Sequence, residues 1–256
     1  MTKHFFGDTV VLLGRTMRHI TRSPDTIITV AITPIALMLL FRYVLGGAIS
    51  TGQGSGQYVN YLLPGILLIT IATGISYTAL RLFSDLQTGI FERFQSLPIG
   101  RSSVLWAHVL TTVVSTLISL VIVVLIALPI GFRSGAGALA WLAVIGIVVL
   151  LTLALTWIAV IAGLAAKTAE GGGAFSYPLI FLPFISSAFV PTRTMPGPVR
   201  AFADNQPMTS IINTIRDLLA QQPVSASIWT ALAWCLGILV VACILASIAY
   251  GRRITS

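Results

Sequence analysis

Charge is scarce in this chain. Only 9% of its 256 residues are Asp, Glu, Lys or Arg, against about 25% in an average soluble domain. So little charge cannot cover a globular surface, which excludes an ordinary soluble enzyme. Disorder needs low hydrophobicity and many charges, and here 56% of the residues are hydrophobic. Cysteine and histidine are scarce too, at two and three residues. Cys235 and Cys243 are eight residues apart on one predicted helix, a rise of about 12 Å. A disulfide tolerates about 7 Å between Cα atoms, so both read as small apolar packers.

Catalytic patterns are absent as well. No Gly-x-x-x-x-Gly-Lys-Ser/Thr run occurs, so this chain has no P-loop with which to bind ATP. No His-Glu-x-x-His, Cys-x-x-Cys or nucleophile-elbow spacing occurs, and His4, His19 and His108 are scattered. The run Gly52-Gln53-Gly54-Ser55-Gly56 has the wrong spacing for a serine hydrolase and reads as a flexible loop.

What is present is a series of long uncharged gaps. They lie between Asp25 and Arg42, Arg42 and Arg81, Arg101 and Arg133, Arg133 and Lys167, Glu170 and Arg193, and Asp217 and Arg252. A charge costs about 2.5–3.5 kcal/mol at the bilayer centre on insertion scales. An apolar gap of this length therefore reads as a membrane span. The sequence predicts an all-α membrane protein with six transmembrane helices, near 26–45, 59–82, 104–130, 139–164, 174–190 and 228–250. Buried strands are shorter, and barrel strands alternate polar with apolar residues.

Orientation follows from the bases. With the N-terminus inside, Lys3, Arg15, Arg18, Arg22, Arg81, Arg93, Arg101, Lys167, Arg252 and Arg253 fall on the cytoplasmic side. Arg133, Arg193, Arg200 and Arg216 fall outside, and Arg42 can snorkel to the outer headgroups. That excess of bases inside predicts that both termini are cytoplasmic. A basic inner face against anionic lipid also accounts for the pI of 10.2, so no nucleic-acid partner is expected.

The connecting segments carry signals of their own. In residues 4–22, Phe6, Val10, Leu13, Met17 and Ile20 form one helical stripe. This predicts an amphipathic interfacial helix; a soluble helix packed on a partner has the same pattern. In residues 84–100, Ile90, Phe94 and Leu97 share one face, Pro98 stops the helix and Gly100 turns the chain. Such a helix suits the groove of a soluble partner and equally suits packing beneath the bundle. Gly171-Gly172-Gly173 reads as a hinge or a tight turn. Pro178 and Pro183 interrupt the short fifth span, which is expected to be broken or re-entrant. Residues 191–227, with the amphipathic run around Ile211–Leu219, then form an external cap.

The acids bear on the energy source. Asp8, Asp25, Asp85, Glu92, Glu170, Asp204 and Asp217 all lie outside the spans or at their ends. Ion-coupled transporters keep acids or His inside the membrane. Arg81 and Asp85, four apart, are expected to pair. Any uphill movement must therefore draw its energy from another chain, such as an ATPase docked near Glu92.

These features together resemble the ABC-2 type permeases, and among them the daunorubicin-resistance-like drug-efflux membrane subunits. The resemblance rests on six spans with both ends inside, the amphipathic N-terminal helix, Gly-Ile-Phe-Glu-Arg-Phe-Gln-Ser-Leu-Pro-Ile at 89–99, and Tyr61-Leu62-Leu63-Pro64-Gly65. It covers nearly the whole chain, 1–256, as a single transmembrane domain. It implies the membrane half of an exporter in the plasma (inner) membrane, moving an amphipathic small molecule or drug. Lipid or polysaccharide export by the same fold is the alternative, and a non-transporting membrane assembly or immunity factor is another. Two permease subunits, identical or paralogous, would join two ATP-binding cassette subunits. ATP and Mg would sit on those partners, with no metal, cofactor or catalytic residue on this chain. The resemblance places Glu92, Arg93, Phe94, Leu97 and Pro98 in a coupling helix that enters the ATPase. It places a translocation path near Phe41, Tyr43, Phe175, Tyr177 and Phe181, where interfacial anchoring of aromatics would look the same.

Overall fold

The computed structural model describes residues 25–46, 58–88, 101–223 and 226–255. The predicted interfacial helix at 4–22 lies outside these residues. So do Glu92, Arg93, Phe94, Leu97 and Pro98; of the segment 84–100, the described part up to Gln87 continues the preceding helix.

No strand occurs among the described residues. The long helices are α1 (Asp25–Leu39), α2 (Tyr58–Gln87), α3 (Arg101–Ile130) and α4 (Ala138–Ala165). Short helices follow: α5 (Ala169–Ala174), α6 (Ser176–Phe181), α7 (Gly197–Asn205) and α8 (Pro207–Leu219). The last helix, α9 (Ser227–Thr255), closes the chain. Four stretches are long and apolar enough to cross a membrane: α2, Leu105–Ile130 of α3, α4, and Ser227–Gly251 of α9. These match the second, third, fourth and sixth predicted spans. The first is shorter: α1 contains Pro34 and ends in a π turn, Leu40–Val44, where the Leu45 N–H donates to the Leu40 carbonyl at 3.1 Å.

Helix α2 is the axis of the bundle. Its most apolar window is 72% buried, whereas that of α9 is 22% buried. It packs against α1, α3, α4, α5, α6 and α8, and its Leu62, Leu63, Ile66, Ile69 and Ile75 are fully enclosed. Several hydroxyls of the spans are satisfied locally. The Thr70 and Thr73 hydroxyls donate to the Ile66 and Ile69 carbonyls one turn back, at 2.8 and 2.9 Å, and Thr152 treats Val148 likewise at 2.7 Å. This back-bonding lets hydroxyls sit in an apolar bundle without a distant partner. Outward faces of α3, α4 and α9 expose Val121, Leu125, Leu142, Val240, Val241 and Ile244. Contiguous apolar exposure on this scale belongs against lipid or another chain.

The fifth predicted span is not one helix. After α4 the chain forms α5, α6 and a 3-10 turn, Leu182–Ile185, then a tight bend through Ser186–Phe189. Pro178 and Pro183 lack the N–H that a continuous ladder needs. The three glycines differ from the hinge expectation. They lie within α5, whose first turn is capped by Thr168 accepting from the Gly171 N–H at 3.1 Å. Gly172 and Gly173 lie where α5 packs on the Ala79–Phe83 turn of α2.

Candidate functional site

The broken segment runs alongside most of α2. At one end Gly173 faces Leu80, and at the other Gly65 faces Ala188. Fifteen helical residues separate Leu80 from Gly65, a rise of about 22 Å. Further along, the Tyr58 hydroxyl donates to the Phe189 carbonyl at 3.3 Å. A Cβ built on Gly65 would lie 2.5 Å from the Ala188 Cβ, so only glycine permits this approach.

A segment without a continuous helical ladder needs other partners for its backbone. The cap provides them. Gln206, between α7 and α8, donates its side-chain amide to the Ile185 carbonyl and, at 3.4 Å, to that of Leu182. Arg216 Nη2 on α8 donates to the Ser187 carbonyl at 2.7 Å and to the Tyr61 carbonyl at 3.3 Å. Arg216 Nη1 donates at 2.8 Å to Asn213 Oδ1, which also accepts from the Ser187 hydroxyl at 2.7 Å. The Arg216 guanidinium lies 3.8 Å over the Tyr61 ring. Burial pulls the Arg216 guanidinium below its ordinary value, while Tyr61 and Asp217 hold it up. Burial pushes the Asp217 carboxyl up, and Arg216 opposes that. Apolar packing completes the docking, since Met208, Ile211, Ile212 and Ile215 of α8 are buried in the core.

Beside this lock sits an aromatic cluster. Phe41 stacks on Phe189 at 4.3 Å and 11°, Phe189 stacks on Phe184 at 4.9 Å, and Phe181 lies 6.2 Å from Phe184. Of the residues assigned to the path, Phe41 thus joins this cluster and Phe175 is half-buried against the core. Tyr43, Tyr177 and Phe181 are exposed, each by more than three-fifths. The first and fifth segments are therefore neighbours, and together they present uncovered aromatic rings.

The other end of α2 holds a polar cleft bordered by Tyr77, Thr78, Arg81, Thr112, Ser115 and Thr116. Thr78 and Thr112 share a hydrogen bond across α2 and α3 at 2.5 Å. The free space is about 10 Å³, room for about one water molecule. It is not a chamber for a drug-sized molecule. Nearby, Asp85 Oδ2 meets His108 Nε2 at 3.1 Å. This corrects the expected Arg81–Asp85 pair: Asp85 reaches across to α3, and Arg81 is not within ion-pair distance. Arg216, Asn213, Ser187, Gln206 and the Asp85–His108 pair all escape sequence reasoning, because each depends on contacts between distant segments.

A bundle of long apolar helices around a broken, capped segment defines a multi-pass membrane protein. The chain matches the ABC-2 type transporter family over residues 8–220 and belongs to it. It is 28% identical over 215 residues to the daunorubicin resistance ABC transporter permease protein of Streptomyces coeruleorubidus, covering 82% of this chain and 74% of that one. It is also 28% identical over 253 residues to the probable doxorubicin resistance ABC transporter permease protein of Mycobacterium tuberculosis, covering 98% and 91%. The family makes it a membrane permease subunit of an ATP-binding cassette exporter, and implies association with an ATP-binding cassette subunit.

Proposed function

We propose that this permease moves an amphipathic, drug-like small molecule out of the cytoplasm or inner leaflet, using ATP hydrolysed on a separate subunit. The observation that carries this reading is the match to drug-resistance permeases along nearly the full chain. The polar cleft within the bundle is too small for such a substrate. A path between two permease subunits is therefore favoured, with the first and fifth segments at the contact. The exposed rings of Tyr43, Tyr177 and Phe181 are suited to that interface or its lining. In this reading the chain crosses the plasma membrane six times with both termini cytoplasmic, counting α1 and the broken segment as spans. The Tyr58 end of α2 then faces outside and the Gln87 end inside. Glu92, Arg93, Phe94, Leu97 and Pro98 follow α2 directly, where an ATPase subunit carrying ATP and Mg would dock.

The test is coupling. Glu92→Ala and Phe94→Ala are introduced separately and together, and ATPase turnover and drug export are measured on reconstituted complexes. Export falls at least tenfold while the subunits stay inserted and the ATPase still turns over. Intact export in the double variant removes the coupling assignment. Cysteine labelling at each terminus from the cytoplasmic side only supports the topology; labelling of either terminus from outside breaks it.

A further inference from the structure

A cavity of about 310 Å³ opens beneath the cap, between the first turn of α2, the α3–α4 connection and the end of α8. Its size is at the small end of ligand pockets. Its polar lining consists chiefly of donors. Arg216 borders it, and Arg216 Nε is buried with no hydrogen-bond partner. Arg133 borders it from the other side; its Nη1 is held by the Leu128 and Phe132 carbonyls, both at 2.8 Å. That anchoring leaves the Nε and Nη2 donors of a fixed guanidinium available. Asn60 Oδ1 accepts the Arg133 backbone N–H at 3.0 Å, and the Asn60 NH2 adds two donors. Gln222 completes the polar rim, and Phe132 and Leu219 form an apolar wall.

No carboxylate lines this cavity among the described residues. Asp204 is committed to Arg200 at 3.4 Å, and the sequence at 47–57, just before α2, contains no charged residue. Asp217 offsets part of the Arg216 charge from outside the lining, and Arg133 borders the same space with no acid in ion-pair contact among the described residues. Arginine cannot discharge by losing its proton, so the unbonded donors of Arg133 stay cationic and open to an anion from outside the chain. Planar guanidinium donors match phosphate and carboxylate oxygens, and an open mouth beside an apolar wall suits a headgroup whose tail remains in lipid.

We propose that this pocket binds the phosphate of an anionic amphiphile headgroup. The side of the membrane on which it lies rests on the topology above; the binding does not. The probe is phosphatidylglycerol. The full-length protein is purified, reconstituted in nanodiscs of equal phosphatidylglycerol and phosphatidylcholine, and the lipids retained are counted by native mass spectrometry. The parent keeps phosphatidylglycerol in preference to phosphatidylcholine. Arg133→Gln loses that preference about tenfold, the scale of one charge-assisted contact. Arg133→Lys keeps it within about threefold, since the cation remains. Equal melting temperatures of the three proteins show that folding is not the cause. If Arg133→Gln does not fold, Asn60→Leu, which removes the amide donors, replaces it with the same expected loss. Glycerol 3-phosphate is then added: displacement assigns recognition to the phosphate group alone, and retention assigns it to the intact lipid. Equal retention of the two lipids by the parent, or an unchanged preference in Arg133→Gln, overturns the proposal.

Discussion

The guanidinium of Arg216 lies 3.8 Å above the ring of Tyr61, and the same group donates to the Tyr61 carbonyl. One residue of the cap thus holds both the face and the backbone of the first turn of α2. Its remaining bonds reach the Ser187 carbonyl in the broken segment and Asn213 on α8 itself. Three separate parts of the chain meet on one side chain.

Removing that side chain has a graded cost. Arg216→Ala loses charge-assisted bonds to two carbonyls and leaves that of Ser187 without this donor, a destabilisation of about 2 kcal/mol or more. Arg216→Lys keeps the charge but not the planar stack, and falls between. Tyr61→Phe keeps ring and carbonyl and stays within about 0.5 kcal/mol of the parent. Thermal melts in one detergent rank the three.

The approach of Ala188 to Gly65 allows a reciprocal test. Gly65→Ala puts two methyl groups about 2.5 Å apart and lowers stability by about 1–3 kcal/mol, the usual cost of overpacking. Ala188→Gly in the same chain clears the space and recovers most of the loss. A double variant no better than Gly65→Ala would separate the effect from this contact.

Asp217 carries a pH dependence. Burial raises its folded pKa above the ordinary 3.8. The folded state therefore binds more protons than the unfolded state between 3.8 and the raised value, and stability falls as pH rises through that window. Asp217→Asn removes this slope. At pH 7 the Asn protein melts no lower than the parent, and its advantage shrinks as pH falls through the raised pKa.

The pair of Asp85 and His108 joins α2 to α3 at 3.1 Å, just before the segment assigned to the ATPase. Asp85→Asn, His108→Gln and the double variant form a cycle. Residues in direct contact couple by about 0.5–3 kcal/mol, so the double variant loses less than the sum of the single ones. Strict additivity in chemical-denaturation midpoints would show that the contact carries no energy.

Much of this architecture is legible in the sequence because the bilayer imposes its own ruler. Uncharged gaps locate α2, α3, α4 and α9 to within a few residues. Pro178 and Pro183 announce a break, and the spacing of Ile211, Ile212, Ile215, Leu218 and Leu219 announces an amphipathic cap. What is not legible is pairing at long range. Arg216 stands 155 residues from Tyr61, and nothing local says that an arginine in an amphipathic helix is destined for burial. Local rules are also incomplete: the i, i+4 spacing of Arg81 and Asp85 suggests a pair, and Asp85 makes its close contact with His108 while acting on Arg81 only at longer range. Three glycines suggest slack where the chain forms a short helix in contact with its neighbour.

The dependence of the broken segment on the cap sets the order in which the chain can be made. The Ile185 and Ser187 carbonyls receive donors that are synthesised 21 and 29 residues later. While the ribosome is still within that stretch, those carbonyls have no protein partner, and lipid offers none. The broken segment therefore reaches its final form only after Gln206 and Arg216 have been made. A nascent chain arrested before Gln206 holds α1 to α7 but leaves the Ile185 and Ser187 carbonyls without these donors.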